Sequence, residues 1–164
     1  MEGEELEAIA RRVIDSNQFM TIGSADDAGV PWVSPVWYAP VEYRDFFWVS
    51  DPQARHSRNI AIRPRVAIVI FDSHEVGGWK SLYVTATASE VTGADLERGI
   101  ALYDRRSVDR GLREWTADDV RAPAKHRLFR ALASEHFVLS PHDQRIPVRL
   151  PRSPTGSERR ERTA

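Results

Sequence analysis

The sequence predicts a mainly β, α+β fold: a small antiparallel barrel with peripheral helices. Five or six runs of strand length, rich in β-branched and aromatic residues, follow one another between Phe19 and Leu150. Most of these runs are joined by short turns, and helices do not alternate with strands, which argues against a doubly wound parallel sheet. One short helix is predicted after the third strand, and longer amphipathic helices pack outside the barrel.

The first elements are a helix and a hairpin. A helix is predicted over about Glu4–Asp15, because apolar residues recur there at helical spacing. Phe19–Ser24 is the first strand, and the turn Asp26-Asp27-Ala28-Gly29 closes it. The second strand is predicted over Pro31–Val41. Because Pro35 cannot donate to a ladder, we expect this strand to be an edge or to carry a bulge.

The middle of the chain reads as strand, short helix and strand. Phe46–Ser50 is the third strand, and Asp51-Pro52 is predicted as the N-cap and first residue of a helix. The helix must end near Arg63, because Pro64 disfavours helical geometry in the residue before it. We expect its inward face to carry Ala54, Ser57, Ile60 and Ala61. Val66–Phe71 is continuously apolar, as expected of a strand buried on both faces.

The remaining elements are predicted in the second half of the chain. They are a strand over Ser81–Val91, a helix over Asp95–Arg106, a helix from Pro123 to about Ala131, and strands over Glu135–Leu139 and Ile146–Leu150. Residues 1–150 are expected to form a single domain. Residues 151–164 are dominated by Pro, Ser, Thr, Gly, Arg and Glu, which predicts disorder.

Composition excludes several classes of function. The net charge of −1 provides no global field for nucleic acid or a membrane surface. The absence of cysteine excludes disulfides, thiolate catalysis and cysteine-ligated metals, and no metal site is predicted. No apolar run approaches membrane-spanning length, and no signal peptide is recognisable. We therefore expect a soluble, cytoplasmic protein.

Four large aromatic residues crowd the second and third strands. Core and sheet-face packing accounts for aromatic residues at such positions more often than ligand binding does. We expect at least two of the four to pack in this way: Trp32, Trp37, Tyr38 and Trp48.

The first turn of the short helix carries the strongest chemical signal. Unpaired N–H groups and the positive end of the helix dipole favour an anion there. Arg55, His56 and Arg58 add basic side chains within the same two turns. A phosphate is the natural guest, although basic residues on a short surface helix are more often simply solvated.

These motifs, in this order and spacing, resemble the pyridoxamine 5′-phosphate oxidase-like family of FMN-binding split β-barrels of Greek-key type. The resemblance covers roughly Phe19 to Val91. The segments that carry it are Phe19-Met20-Thr21-Ile22-Gly23, Pro31-Trp32-Val33-Ser34-Pro35-Val36-Trp37-Tyr38, Phe47-Trp48-Val49-Ser50, Ala54-Arg55-His56-Ser57-Arg58-Asn59-Ile60 and Arg63-Pro64-Arg65-Val66-Ala67, followed by the small-residue strand Leu82–Ala88.

The resemblance implies that FMN lies in a cleft between the two barrels of a homodimer. Its phosphate would be held by Arg55 and His56, where the family usually has lysine at the second position. The ribityl chain and ring would lie along Ser34–Ala39 and Val49-Ser50, with a polar contact from Lys80 or Ser81. The implied cofactor-binding residues are Ser34, Pro35, Val36, Trp37, Tyr38, Val49, Ser50, Arg55, His56, Asn59, Trp79, Lys80 and Ser81.

The function implied is an FMN-binding oxidoreductase that acts on an unidentified small molecule. The C-terminal arginine and histidine motif of the true vitamin B6 oxidase has no match in His142-Asp143-Gln144-Arg145, so we do not expect that activity. The alternatives are a reductase that uses the actinobacterial 5-deazaflavin coenzyme and a non-catalytic flavin- or haem-binding protein. No residue is predicted as a catalytic acid or base.

The tryptophan content gives a separate reason to expect a homodimer. A barrel of this length has little room to bury Trp32, Trp37, Trp48 and Trp79 together with its regular core. Aromatic side chains left on one face are typical of an obligate interface.

Overall fold

A computed structural model describes residues 3–74, 81–140 and 142–150. Its main feature is an antiparallel sheet that curls into a half-barrel, with α-helices outside it. The strands follow the order β2-β1-β5-β6-β7-β4-β3, and β8 pairs with β7. The strands are β1 Phe19–Ala25, β2 Pro31–Trp37, β3 Ala39–Val41, β4 Asp45–Ser50, β5 Arg65–Phe71, β6 Ser81–Glu90, β7 Arg127–Leu139 and β8 Arg145–Val148. The α+β split barrel predicted from the sequence is confirmed.

The helix α1, Gly3–Ser16, packs against β5, β6, β7 and β8. Its apolar stripe enters the main core, as its helical spacing predicts: Leu6, Ile9, Ala10, Val13 and Ile14. No basic residue occupies its last turn. The Tyr38 hydroxyl and the Arg106 and Arg110 guanidinium groups donate instead to carbonyls at or just past the helix end. Other elements therefore complete the C-terminus of α1.

The second strand is an edge strand, as Pro35 predicts. Pro35 lies opposite Thr21 of β1, and among the described residues β2 has no ladder on its other side. The single strand predicted over Pro31–Val41 is wrong, however, because Tyr38 separates β2 from β3. The Tyr38 N–H donates to the Gln18 carbonyl, and β3 then pairs with β4.

Only one face of β5 is buried within this chain, so the expectation of burial on both faces is wrong for a single chain. Val66, Ile68 and Ile70 point into the core, whereas Ala67 and Phe71 are exposed. Their outward neighbours on adjacent strands include Thr21, Gly23 and Tyr83. The half-barrel thus presents an uncovered and largely apolar outer sheet face.

Residues 127–139 form the long strand β7 rather than the predicted helix from Pro123 to Ala131 followed by a short strand. Proline at a helix start and good helix formers after it favoured the wrong interpretation. The inward alternation of Ala131 and Ala133 fits a strand, and pairing with both β4 and β6 outweighs local propensity.

A second, smaller core lies between the other side of β4 and the helix α3, Asp95–Asp109. Gly99 allows the helix to approach closely, since a Cβ there would meet Leu128 at 3.0 Å and Phe47 at 3.2 Å. A short 3₁₀ helix, Ala117–Val120, completes this layer.

The crowded aromatic residues have different environments. Tyr38 and Trp48 are fully buried, which confirms that at least two of the four pack in the core. Trp37 is half-buried and packs edge-on against Tyr103. Trp32 is exposed.

Within the described parts of the chain, no helix is long and apolar enough to cross a membrane.

Candidate functional site

The short helix α2 spans Arg55–Ile62 and begins later than Asp51-Pro52 predicts. The Asp51 carboxylate accepts from the Gln53 N–H, and its carbonyl accepts from the Ala54 N–H, so this segment forms a turn before the helix. Ala54 is the N-cap and provides no side-chain bond. The helix does end before Arg63, as Pro64 predicts.

The buried face of α2 also differs from the expectation. Ser57 and Ile60 are buried as predicted, but Ala61 is exposed and Ala54 only half-buried. His56 and Asn59 take the remaining buried positions. Three polar side chains of α2, those of His56, Ser57 and Asn59, therefore lie on its buried face.

His56 joins the two sides of the split in the barrel. Its Nε2 lies 2.8 Å from Ser50 Oγ on β4, and its Nδ1 lies 3.2 Å from Ser34 Oγ on β2. The side chain is buried, with 8% of the residue exposed. Burial lowers the pKa of His56, so the ring is neutral at neutral pH.

Arg55 lies at the surface beside this bridge. Its guanidinium stacks on the Trp32 ring at 4.4 Å, and its Nη2 lies 3.9 Å from the Asp26 carboxylate. Trp32 in turn donates from Nε1 to Ser34 Oγ at 3.0 Å. Arg55 is therefore held beside Trp32, the partner of Ser34, while a substantial part of its side chain stays exposed.

Asn59 has a structural role one turn further along. Its Nδ2 donates to Ser24 Oγ at 3.1 Å, and Ser24 donates to the Trp32 carbonyl at 3.4 Å. At the helix end, Arg63 donates to the Asp27 carbonyl at 2.8 Å. These contacts dock α2 on the β1–β2 hairpin.

Arg58 does not join the basic group that the sequence suggested. It is exposed, and its guanidinium donates to the Gln53 carbonyl at 2.6 Å. The candidate phosphate site therefore includes Arg55 and His56 but not Arg58.

The predicted site residues divide into three groups. Ser34, Ser50, Arg55 and His56 converge, with Asn59 just behind them. Other predicted residues point elsewhere with their side chains: Val36 and Tyr38 enter the main core, and Trp37 and Val49 pack against the second core. Pro35 is exposed on the edge strand, and Ser81 is half-buried at the start of β6. Trp79 and Lys80 lie outside the described residues.

Three residues of this site were missed as ligand-site residues from the sequence: Ser24, Asp26 and Trp32. Trp32 and Ser34 are two residues apart on a strand, so their side chains lie on the same face. The alternation of side chains along a strand was therefore enough to predict that they are neighbours. Ser24 and Asp26 carried no such signal, because the fold of the hairpin over α2 brings them there.

Two cavities of the described structure lie away from this cluster. One of about 320 Å³ lies between α3 and the β3–β4 hairpin, and one of about 690 Å³ lies between α2 and β6. The cluster itself opens at the sheet edge. No three potential metal-ligating side chains come together within the described residues.

Comparisons with known proteins agree with this geometry. The family model of pyridoxamine 5′-phosphate oxidase matches residues 6–136. This chain therefore belongs to the pyridoxamine 5′-phosphate oxidase family. No curated protein matches the chain by sequence.

Solved structures share the fold at low sequence identity. A haem-binding protein from Mycobacterium smegmatis aligns with a TM-score of 0.66 and 20% identity, over 87% of this chain and 57% of that protein. HutZ, the haem storage protein from Vibrio cholerae, aligns with a TM-score of 0.63 and 21% identity, over 81% of this chain and 94% of HutZ. An F420 reductase aligns with a TM-score of 0.56 and 16% identity, over 83% of this chain and 97% of that protein.

Proposed function

We propose that this protein is an FMN-binding oxidoreductase that acts on a small molecule and anchors the FMN phosphate beside Arg55. The observation that carries this proposal is the convergence of Arg55 with the serines of two different strands, Ser34 and Ser50. Membership of a family that binds flavin-type cofactors or haem supports the same class of ligand.

The donor set fits a phosphate monoester. A guanidinium provides charge-assisted donors in a fixed fork, and serine hydroxyls add neutral donors. The Arg55–Asp26 contact of 3.9 Å is long and partly exposed, so a phosphate can replace it at little cost. Asn59 is committed to Ser24 in the core and is not part of the proposed ligand set.

The edge strand β2 supports the proposed position of the ring. No described strand pairs with the outer side of β2, so its backbone groups there are available to a ligand near Pro35. Bound flavin would supply the hydride chemistry, while these residues anchor and orient it. We assign no protein residue as acid or base.

We further propose that two copies of the chain form a homodimer with the cofactor between them. The apolar outer face of β5 supports this, because Ala67, Val69 and Phe71 continue an apolar run that one chain leaves uncovered. Trp48 is fully buried within one chain, so the tryptophan residues support a dimer less than the sequence suggested.

Cofactor titrations of matched arginine variants test the phosphate anchor. Arg55→Ala should reduce FMN affinity about ten- to a hundred-fold, because a partly buried charge-assisted contact is lost. Arg58→Ala removes the same chemistry from the same helix and should leave the affinity unchanged. Equal affinities in the two variants and the wild type would remove the central claim.

An absorption spectrum after incubation with each candidate separates the ligand classes. FMN, the 5-deazaflavin coenzyme and haem have distinct visible bands. We expect stoichiometric uptake of FMN. Uptake of only the 5-deazaflavin coenzyme or only haem would replace the FMN assignment by that alternative, and uptake of none would overturn all three.

A further inference from the structure

The bridge between Ser34, His56 and Ser50 allows a more specific inference, which rests on the proposed phosphate site. His56 contacts both serines through its two ring nitrogens and does not point at solvent. A direct contact between His56 and a phosphate would require breaking one of these bonds. The hydroxyls are better placed than the ring to meet a ligand.

Proton counting shows how the bridge depends on the charge of His56. A neutral ring has one N–H, and the two hydroxyls have one proton each, so three protons serve two hydrogen bonds. One hydroxyl proton therefore remains to donate elsewhere. In a protonated ring both nitrogens donate, both serine oxygens accept, and both hydroxyl protons are released for other acceptors.

The surroundings of Ser34 permit this second arrangement. A serine oxygen has two lone pairs. One accepts from Trp32 Nε1 at 3.0 Å, and the other can accept from His56 Nδ1 at 3.2 Å. Trp32 also stacks on Arg55, which keeps the released Ser34 proton beside the cation that attracts an anion.

We propose that His56 is a proton-linked positioning residue: when a phosphate monoester binds, His56 takes up one proton from solvent, and Ser34 and Ser50 then both donate to the phosphate. The ring stays within the bridge in both states. The anion compensates the cost of a buried imidazolium, so proton uptake and phosphate binding stabilise each other.

Within the part of the chain that the structure describes, the elements around this ring carry few other charged groups. β1 and β2 contain no charged residue, and β6 contains only Glu90. On α2 and in the turns the charged groups are Arg55, Arg58, Asp26, Asp27 and Asp51, which lies 3.9 Å from Lys125. Asp45 lies at the far end of β4, and Arg127 of β7 pairs with Ser50 and lies 3.6 Å from the Glu90 carboxylate. Burial is the cause that lowers the pKa of His56 in the free protein.

The test measures FMN affinity from about pH 8.5 to about pH 5.5 in the wild type and in His56→Gln. The FMN phosphate itself titrates near pH 6 in both, so the ratio of the two affinities isolates the contribution of His56. As pH falls, that ratio should rise about tenfold, because the wild type gains a donor to a charged acceptor. Calorimetry in two buffers should show that the wild type takes up more protons on FMN binding than His56→Gln does.

Two further variants separate the bridge from a general effect. Ser50→Ala should weaken the pH dependence while keeping His56 in place, which guards against a folding defect in His56→Gln. His74→Gln changes an exposed histidine and should behave as the wild type. Riboflavin lacks the phosphate and should bind with no pH difference between the wild type and His56→Gln.

The outcomes distinguish the bridge from the phosphate site. If Arg55→Ala still weakens FMN binding but the wild type and His56→Gln share one pH profile, the bridge proposal fails and the phosphate site stands. If FMN does not bind at all, the proposed function fails. The His56 pKa is then measured by NMR with inorganic phosphate alone, and a pKa that phosphate does not raise would overturn the bridge as well.

Discussion

Two histidines of this protein, His56 and His136, are buried in the fold. His136 lies on β7, where it contacts the Tyr43 backbone and packs against Phe46 at 6.5 Å. Within the described residues its Nε2 has no hydrogen-bond partner. Burial lowers the pKa of His136, as it lowers that of His56. Both rings are therefore neutral in the folded state near neutral pH.

We predict that acid destabilises the fold through these residues. The unfolded chain binds protons near pH 6.5, whereas the folded rings bind them only at lower pH. This stabilisation is complete above about pH 6.5 and is lost as pH falls towards the lowered pKa values of the folded rings. Urea denaturation at two pH values measures this loss.

The variant His136→Gln serves as the control for that experiment. It should lose less stability than the wild type between the two pH values, even if it is less stable at both. A wild type and a variant with parallel pH dependence would contradict the assignment to His136.

At the scale of elements, the C-terminus of α1 depends on donors from elsewhere. Tyr38 Oη donates to the Ile14 carbonyl at 2.6 Å in the core, and Arg110 donates to the Asp15 carbonyl at 2.6 Å. These carbonyls have no partner within the helix. The strand junction at Tyr38 therefore fixes where α1 ends and how it covers the sheet.

We predict that Tyr38→Phe lowers the free energy of unfolding by about 1–3 kcal/mol, because a buried carbonyl loses its donor. Tyr43→Phe is the matched control. Tyr43 donates to Asp15 Oδ2 at 3.0 Å, an exposed contact, so its loss should cost less than about 1 kcal/mol. Chemical denaturation of both variants measures the difference, and equal losses would show that burial of the Tyr38 bond does not matter.

At the scale of the whole molecule, the uncovered outer face of the sheet is the feature that a second chain would bury. Phe19 is 58% exposed and Phe71 50% exposed, and both lie on strands whose inner residues are core. Apolar residues grouped on one face are typical of an obligate interface.

We predict that Val69→Lys converts a dimer to a monomer, because it places a charge at the centre of this face. Leu112→Lys changes another exposed apolar residue, beyond α3, and should leave the mass unchanged. Light scattering should report twice the monomer mass for the wild type, persisting on dilution. A wild-type monomer that binds FMN stoichiometrically would contradict the shared site.

Elements whose pattern is local could be predicted from the amino-acid sequence alone. The apolar stripe of α1, the hairpin turn before Gly29 and the end of α2 before Pro64 are each set by neighbouring residues, and all three are confirmed. The edge position of β2 likewise follows from one proline that cannot donate. The convergence of Arg55 with Ser34 and Ser50 was expected from the family resemblance rather than from spacing.

Tertiary structure decided what depends on partners distant in the chain. Residues 127–131 have helical propensity, but hydrogen bonds to β4 and β6 make them a strand. The side chains of Val36 and Tyr38 face the core because β2 and β3 curve around it. His56 bridges Ser34 and Ser50 because the curled sheet brings β2 and β4, which are distant along its strand order, to either side of one helix. Contacts of this kind join residues far apart in sequence, so no local pattern specifies them.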